Sequence, residues 1–220
     1  MIRFIQPKTF SQDSFNYYLQ KAIETNHFTN YGWAVRKLEE RAKDLLKIDD
    51  TKAVIATNNG TTAASAIIDA VRRKSENTKK RVCTQDFTFA TNSIGSASGS
   101  LVVDLNNSCM IDHSNDFINE AADIVIITNC FGHVGDLEQL ETILKDKVIV
   151  YDNAASPYSF YKGKNCLNYG TASFVSLHHT KPLGFGEGGL VVIDKEYEDL
   201  VRAAVNFGMI DGVFNEYGGN

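Results

Sequence analysis

The stretch Ser176-Leu-His-His-Thr-Lys181-Pro-Leu-Gly184-Phe-Gly186-Glu187-Gly188-Gly189 places a lysine after a hydroxyl cluster and before a glycine-rich turn. The run from 171 to 177 is small and β-prone, and Leu190-Val-Val-Ile193 is an apolar strand candidate. Lys181 therefore sits in a connection between two predicted strands, where a rigid scaffold can present it. Pro182 removes a backbone donor next to it and disfavours a helical backbone at Lys181 itself. Two readings are open. One is a solvated loop lysine beside a flexible turn. The other is an amine that forms a Schiff base with an aldehyde cofactor, for which lysine is suited because a modest change of environment deprotonates it. The second reading requires three further parts: a phosphate cradle, a ring platform and a carboxylate for a pyridine nitrogen.

Candidates for each part lie elsewhere in the chain. Asn58-Asn-Gly60-Thr61-Thr62 follows a short strand, Lys52 to Thr57, and precedes a helix rich in Ala and Ile, Ala63 to Val71. Strand, tight glycine turn and helix put unpaired N–H groups at a helix N-terminus, a ready anion site, although Asn and Thr there also simply cap a helix. No Gly-Lys-Ser/Thr follows, so this is not a P-loop. In Gln85-Asp-Phe87-Thr-Phe89 the aromatics alternate, as on a buried strand face, but a flat ring near a phosphate cradle can also stack on a cofactor. Asp152 ends the apolar run Lys147-Val-Ile-Val-Tyr151, and ligands of open α/β sheets collect outside such strand ends.

The elements that must position these residues alternate along the chain. Helices are predicted from Ser11 to Thr25 and from Val35 to Leu46, each with an apolar face and with the charges of the second solvated. Further strands are predicted at Val82-Cys-Thr, Leu101 to Asp104 and Asp123 to Thr128, and further helices at Ala90 to Ala97, Leu137 to Leu144 and Glu196 to Phe207. Several strands are continuously apolar. The expected fold is α/β, three-layered, a mostly parallel sheet with helices on both faces.

Composition bounds the function class. The 220 residues are 43% hydrophobic and 22% charged with a net charge of −5, as expected for one large soluble domain. The acidic balance and the lack of a basic stripe argue against nucleic acid as a partner. Cys83, Cys109, Cys130 and Cys166 are widely spaced and read as free thiols of a reducing compartment. The N-terminus lacks the apolar core of a signal peptide and no stretch is long enough to span a bilayer, so no membrane association and a cytoplasmic location are expected.

Taken together, Gly60-Thr61, Phe89, Asp152, Ser176 and Lys181 form the set that pyridoxal 5'-phosphate needs. At these residues the sequence resembles the DegT/DnrJ/EryC1/StrS family of sugar aminotransferases, within the type I aminotransferase fold. The resemblance runs from the N-terminal helices to the end of the chain. Asn59-Gly60-Thr61-Thr62-Ala63-Ala64 matches the family's phosphate turn, Thr88-Phe89 its Thr-aromatic pair, and Asp152-Asn-Ala154 its Asp-x-Ala strand end. Ser176, four intervening residues, Lys181 and then Gly186-Glu187-Gly188-Gly189 match its lysine motif.

The resemblance implies transamination of a keto group on a nucleotide-linked sugar, with glutamate as amino donor, in a homodimer. It implies that Lys181 and Asp152 are catalytic, and that Gly60, Thr61, Phe89, Ser176 and Asn220 bind the cofactor, Asn220 reaching across the dimer interface. No metal is implied. Two departures stand out. The family's polar residue three positions after the Asp is Ala155 here, for which His178, His179 or Asn153 are candidate substitutes. The family also carries a smaller C-terminal domain, so residues 1–220 are expected to be the cofactor-binding large domain without it. Two alternatives follow: a truncated, non-catalytic binding or assembly homologue, and a family dehydratase. Lys181 speaks against the latter, because relatives with that chemistry have a histidine in its place.

Overall fold

A computed structural model describes residue 5, residues 7–210 and residues 213–214. Chain order begins with two helices, α1 (Gln12–Thr25) and α2 (Trp33–Leu46), followed by β1 (Lys52–Thr57), α3 (Gly60–Lys74), β2 (Val82–Gln85) and β3 (Leu101–Val103). Next come α4 (Asp116–Ala121), β4 (Ile124–Thr128), α5 (Leu137–Ile143) and β5 (Val148–Asp152). A small hairpin, β6 (Phe160–Tyr161) with β7 (Lys164–Asn165), precedes β8 (Ala172–Ser176), β9 (Gly189–Asp194) and α6 (Glu198–Ala204). The described chain ends in a second hairpin, β10 (Met209–Ile210) with β11 (Val213–Phe214).

Seven strands form one sheet in the order β1-β9-β8-β5-β4-β2-β3. From β8 to β3 all neighbours pair in parallel, and β9 runs against both β1 and β8. The expected α/β architecture with a mostly parallel sheet is therefore present. Both faces of its strands are apolar, as parallel sheets require. Ile124 and Ile126 join the core under α3, while Val125 and Ile127 on the same strand join the core under α4 and α5. On β9, Val191 and Ile193 face α3 and Leu190 and Val192 face α2. Ala63, Ala64, Ala66, Ile67, Ile68, Ala70 and Val71 of α3 are all buried, which locks the start of that helix against the sheet. Full burial of a side chain such as Ile67 contributes about 1.5–3 kcal/mol.

This parallel arrangement puts the C-terminal ends of β1, β8, β5, β4 and β2 on one edge of the sheet. Thr57, Ser176, Asp152, Thr128 and Gln85 end those strands, and Gly189, paired with both Thr57 and Ser176, begins β9 at the same edge. Residues distant in sequence converge there.

Several elements differ from their sequence patterns. Residues 90–97 form two 3-10 turns, Ala90–Ser93 and Gly95–Ala97, rather than one helix. Gly95 at φ +57 breaks the run, and the Asn92 side chain is engaged with other side chains rather than left to a helix surface. Phe87 and Phe89 lie on an exposed loop, not on a buried strand face. Helix α1 forms as expected, with Ser11 accepting from the N–H of Ser14, but its Phe15 and Leu19 stay exposed and only Ala22 is buried. On α2 the charges are not all solvated. Glu39 is buried, accepting from the N–H of Ala56 at 2.9 Å and pairing with Arg202 at 3.2 Å.

Candidate active site at the C-terminal edge of the sheet

A cavity of about 300 Å³ opens at this edge, and Gly60, Thr61, Phe89, Asp152, Ser176 and Lys181 all line it. The sequence-predicted residues are thus brought together by β1, β2, β5 and β8 and the segments that follow them. Asn220 lies outside the described residues.

The helix start is built to receive an anion. Asn59 caps α3, its side chain accepting from the N–H of Thr62 at 2.8 Å and its carbonyl from that of Ala63. The N–H groups of Gly60 and Thr61 have no acceptor within the helix, and both residues face the cavity. No acidic residue occupies the first turn, whereas Arg72, Arg73 and Lys74 occupy the last, in keeping with the helix dipole. Gly60 permits a close approach. A Cβ there would lie 3.1 Å from Cβ of Ser176, so its absence lets the helix start abut the end of β8. Hydroxyls complete the rim: Thr61 Oγ1 lies 2.8 Å from Thr91 Oγ1, and Ser176 Oγ accepts from the N–H of His178.

Asp152 is 3% exposed. Its Oδ2 accepts from Asn92 Nδ2 at 3.0 Å and from the Thr128 hydroxyl at 3.4 Å, and its Oδ1 from the N–H of Ala154 at 3.0 Å. Burial pushes its carboxyl above the ordinary carboxylate range. The Ala154 N–H, Asn92, the charge of Lys181 and Thr128 pull the other way. A buried carboxylate surrounded by neutral donors is one that a cationic ligand would stabilise.

The Lys181 ammonium stands 5.9 Å from the centroid of the Phe89 ring. A second chamber of about 280 Å³ shares Phe89, Asp152, Ala154 and Lys181 with the first and is also lined by Phe131 and Ala155. Phe131 is 80% exposed and holds a left-handed backbone, φ +52. Of the candidate substitutes for a polar group at position 155, Asn153 is turned into the core, where it bonds Asn129 and Ser173. His178 does line the first cavity. Its Nδ1 lies 2.8 Å from Thr180 Oγ1 and its Nε2 3.5 Å from Glu187.

Sequence reasoning missed Asn92 and Thr128. Asn92 is fully buried and bonds Thr88, Thr128 and Asp152 through one amide nitrogen. Its only signal was a polar residue in a small-residue run. Thr128 had a clearer one: it ends β4 in register with Asp152 on β5.

Comparison with known proteins bears on the fold and the family. The chain is 26% identical to dTDP-4-amino-4,6-dideoxy-D-glucose transaminase of Shigella dysenteriae, over 94% of this chain and 56% of that protein. Among solved structures, Helicobacter pylori PseC, an aminotransferase involved in the biosynthesis of pseudoaminic acid, superposes with a TM-score of 0.81 at 22% identity, over 99% of this chain and 60% of that one. DesI, solved in the presence of its TDP-sugar product, gives a TM-score of 0.80 at 22% identity, over 97% of this chain and 55% of that one. These structures share the fold, and this chain spans little more than half the length of the relatives it matches. The sequence profile of the DegT/DnrJ/EryC1/StrS aminotransferase family matches residues 10–220, nearly the whole chain, and the chain belongs to that family.

Proposed function

We propose that residues 1–220 form the cofactor-binding large domain of an aminotransferase that uses pyridoxal 5'-phosphate to aminate a keto group on a nucleotide-linked sugar, with glutamate as amino donor. The observation that carries this reading is the convergence of Lys181, Asp152 and the Gly60-Thr61 helix start on one cavity. The residues present fit the cofactor. The helix start offers N–H and hydroxyl donors to a phosphate, the buried Asp152 calls for a cation, and Phe89 offers a ring face beside an amine. The substrate class draws support from the names of relatives, which concern a dTDP-linked amino sugar and a TDP-sugar product. A cytoplasmic homodimer, with Asn220 reaching the partner's phosphate site, belongs to the same proposal. Among the described residues no helix is long and apolar enough to cross a membrane.

When bound, the cofactor supplies an electron sink that makes a substrate C–H bond next to nitrogen acidic. The remaining work falls to the chain. Gly60, Thr61 and Ser176 would hold its phosphate through N–H and O–H donors. Phe89 would offer a ring face for stacking. Asp152 would favour a proton on the pyridine nitrogen, and its own ionisation would be favoured in return. Lys181 Nζ would hold the cofactor and present its amine beside the reacting carbon. The same amine would serve as general base and then general acid for the proton carried from the donor's α-carbon. The same residues would serve in the same roles when the keto sugar is the acceptor. A lysine at this position disfavours the dehydratase reading.

The test is spectroscopic. Purified protein mixed with cofactor is expected to show a visible absorption band, and borohydride is expected to fix the cofactor's mass on the peptide containing Lys181. Lys181→Ala is expected to abolish both. Retention of the band and of a fixed adduct in Lys181→Ala refutes the assignment.

A further inference from the structure

The segment that precedes α1 reaches back to the loop carrying Lys181. Lys8 donates from Nζ to the carbonyl of His179 at 2.9 Å, to that of Gly184 at 2.5 Å and to the carbonyl of Lys181 itself. An ammonium has three N–H groups, and this arrangement uses all of them. The three carbonyls converge because the loop makes two consecutive turns: the N–H of Lys181 bonds the carbonyl of His178 at 2.8 Å, and that of Gly184 bonds the carbonyl of Lys181 at 3.1 Å. Only glycine fits at 184, since a Cβ would fall against the carbonyl oxygens of His178 and Leu177. Three converging carbonyl dipoles repel one another unless a cation sits at their focus. Beside this clasp, Phe10 meets Phe185 edge-on with ring centroids 5.7 Å apart. Contacts from the N-terminal segment therefore bracket Lys181 on both sides.

We infer that Lys8 is a positioning residue, which holds the 178–185 loop in the turn that directs Lys181 Nζ over Phe89 and toward Asp152. The inference rests on the reading of Lys181 given above. Lys8 touches neither cavity nor reacting atoms. It acts by fixing the backbone from which Lys181 projects, where a displacement of an ångström is costly to reactivity. The half-buried clasp makes the loop's conformation depend on a residue more than 170 positions away in sequence.

The test compares wild type, Lys8→Met and Lys8→Arg. Methionine keeps the packing of the side chain and removes its donors. In cofactor-free protein, amide exchange over 177–188 is expected to quicken about tenfold in Lys8→Met, the change produced by losing roughly one charge-assisted hydrogen bond, while α3 and β5 exchange as before. With cofactor, the affinity is expected to fall about tenfold and the pH midpoint of the visible band to move. Lys8→Arg, which retains charge and donors, is expected to recover part of both. Unchanged exchange in Lys8→Met overturns the proposal. So does faster exchange with unaltered affinity and pH midpoint, which would leave a merely structural contact, and so does an arginine that rescues nothing. If wild type binds no cofactor, the reading of the site fails instead, and exchange in the cofactor-free protein still decides whether Lys8 holds the loop.

Discussion

Replacing Asp152 by asparagine separates what this residue does for folding from what it does for chemistry. The carboxyl is 3% exposed and its hydrogen-bond donors, Asn92, Thr128 and the Ala154 N–H, are neutral. Burial raises its acid above the ordinary value of 3.8. In the unfolded chain it ionises near that value. Between the two, the folded protein binds more protons than the unfolded one, so stability falls as pH rises through the window and stays reduced above it. Below 3.8 the carboxyl is protonated in both states and the penalty vanishes. Asparagine carries no charge to bury. Its oxygen can accept from the Ala154 N–H as the carboxylate does. A pKa difference of one is worth about 1.4 kcal/mol, and each kcal/mol moves the melting point of a chain of this size by about 3 °C. In melting curves without cofactor, Asp152→Asn is therefore expected to melt above wild type at about pH 8, with the gap closing toward about pH 4. Adding pyridoxal 5'-phosphate should reverse the order, because only wild type offers a counter-charge to a protonated ring nitrogen. A cofactor-free wild type that melts above the variant near neutral pH, or a gap that does not vary with pH, refutes the reasoning.

How much of this was legible in the sequence depended on whether each signal was local. Asp152 and the strand that carries it were legible because Val148-Ile-Val-Tyr is a continuous run of strand-forming residues, so the first charge after it marks the sheet edge. Gly60 and Lys181 were legible because turn chemistry is written within a few residues. Asn92 was not, since its role comes from a bond to Asp152 sixty positions on. Glu39 looked like any acid on a charged helix face, and is buried because Arg202 and the Ala56 N–H meet it there. The alternation of Phe87 and Phe89 mimicked a strand, but the ladder ends at Gln85, whose side chain accepts from the N–H of Thr128 and donates to the carbonyl of Phe87. Lys8 carries no local mark at all. Pattern reading thus recovers residues whose placement follows from their own backbone position, and misses those placed by bonds to residues distant in sequence.

Two further substitutions test the scaffold and the loop separately. Ile67→Ala, at a fully buried position of α3 facing the sheet, is expected to cost about 3 kcal/mol in denaturant unfolding, with cofactor affinity changed little once the variant is folded; loss of affinity without loss of stability would contradict the packing account. Gly184→Ala attacks the loop instead. The added Cβ falls well inside van der Waals distance of the His178 and Leu177 carbonyl oxygens, both backbone atoms that no rotamer change can move aside. The turn must open, which carries the Gly184 carbonyl away from Lys8 and swings the backbone at Lys181. Because a displacement of about 1 Å at a reacting group costs roughly a hundredfold in rate, attachment of the cofactor to Lys181, followed by borohydride trapping over time, should slow by about that factor. The global melting point should move less, since of this loop only Leu183, partly buried, packs against the clusters that hold the sheet together. Trapping at the wild-type rate in Gly184→Ala would mean that the conformation of this loop does not govern the reactivity of Lys181.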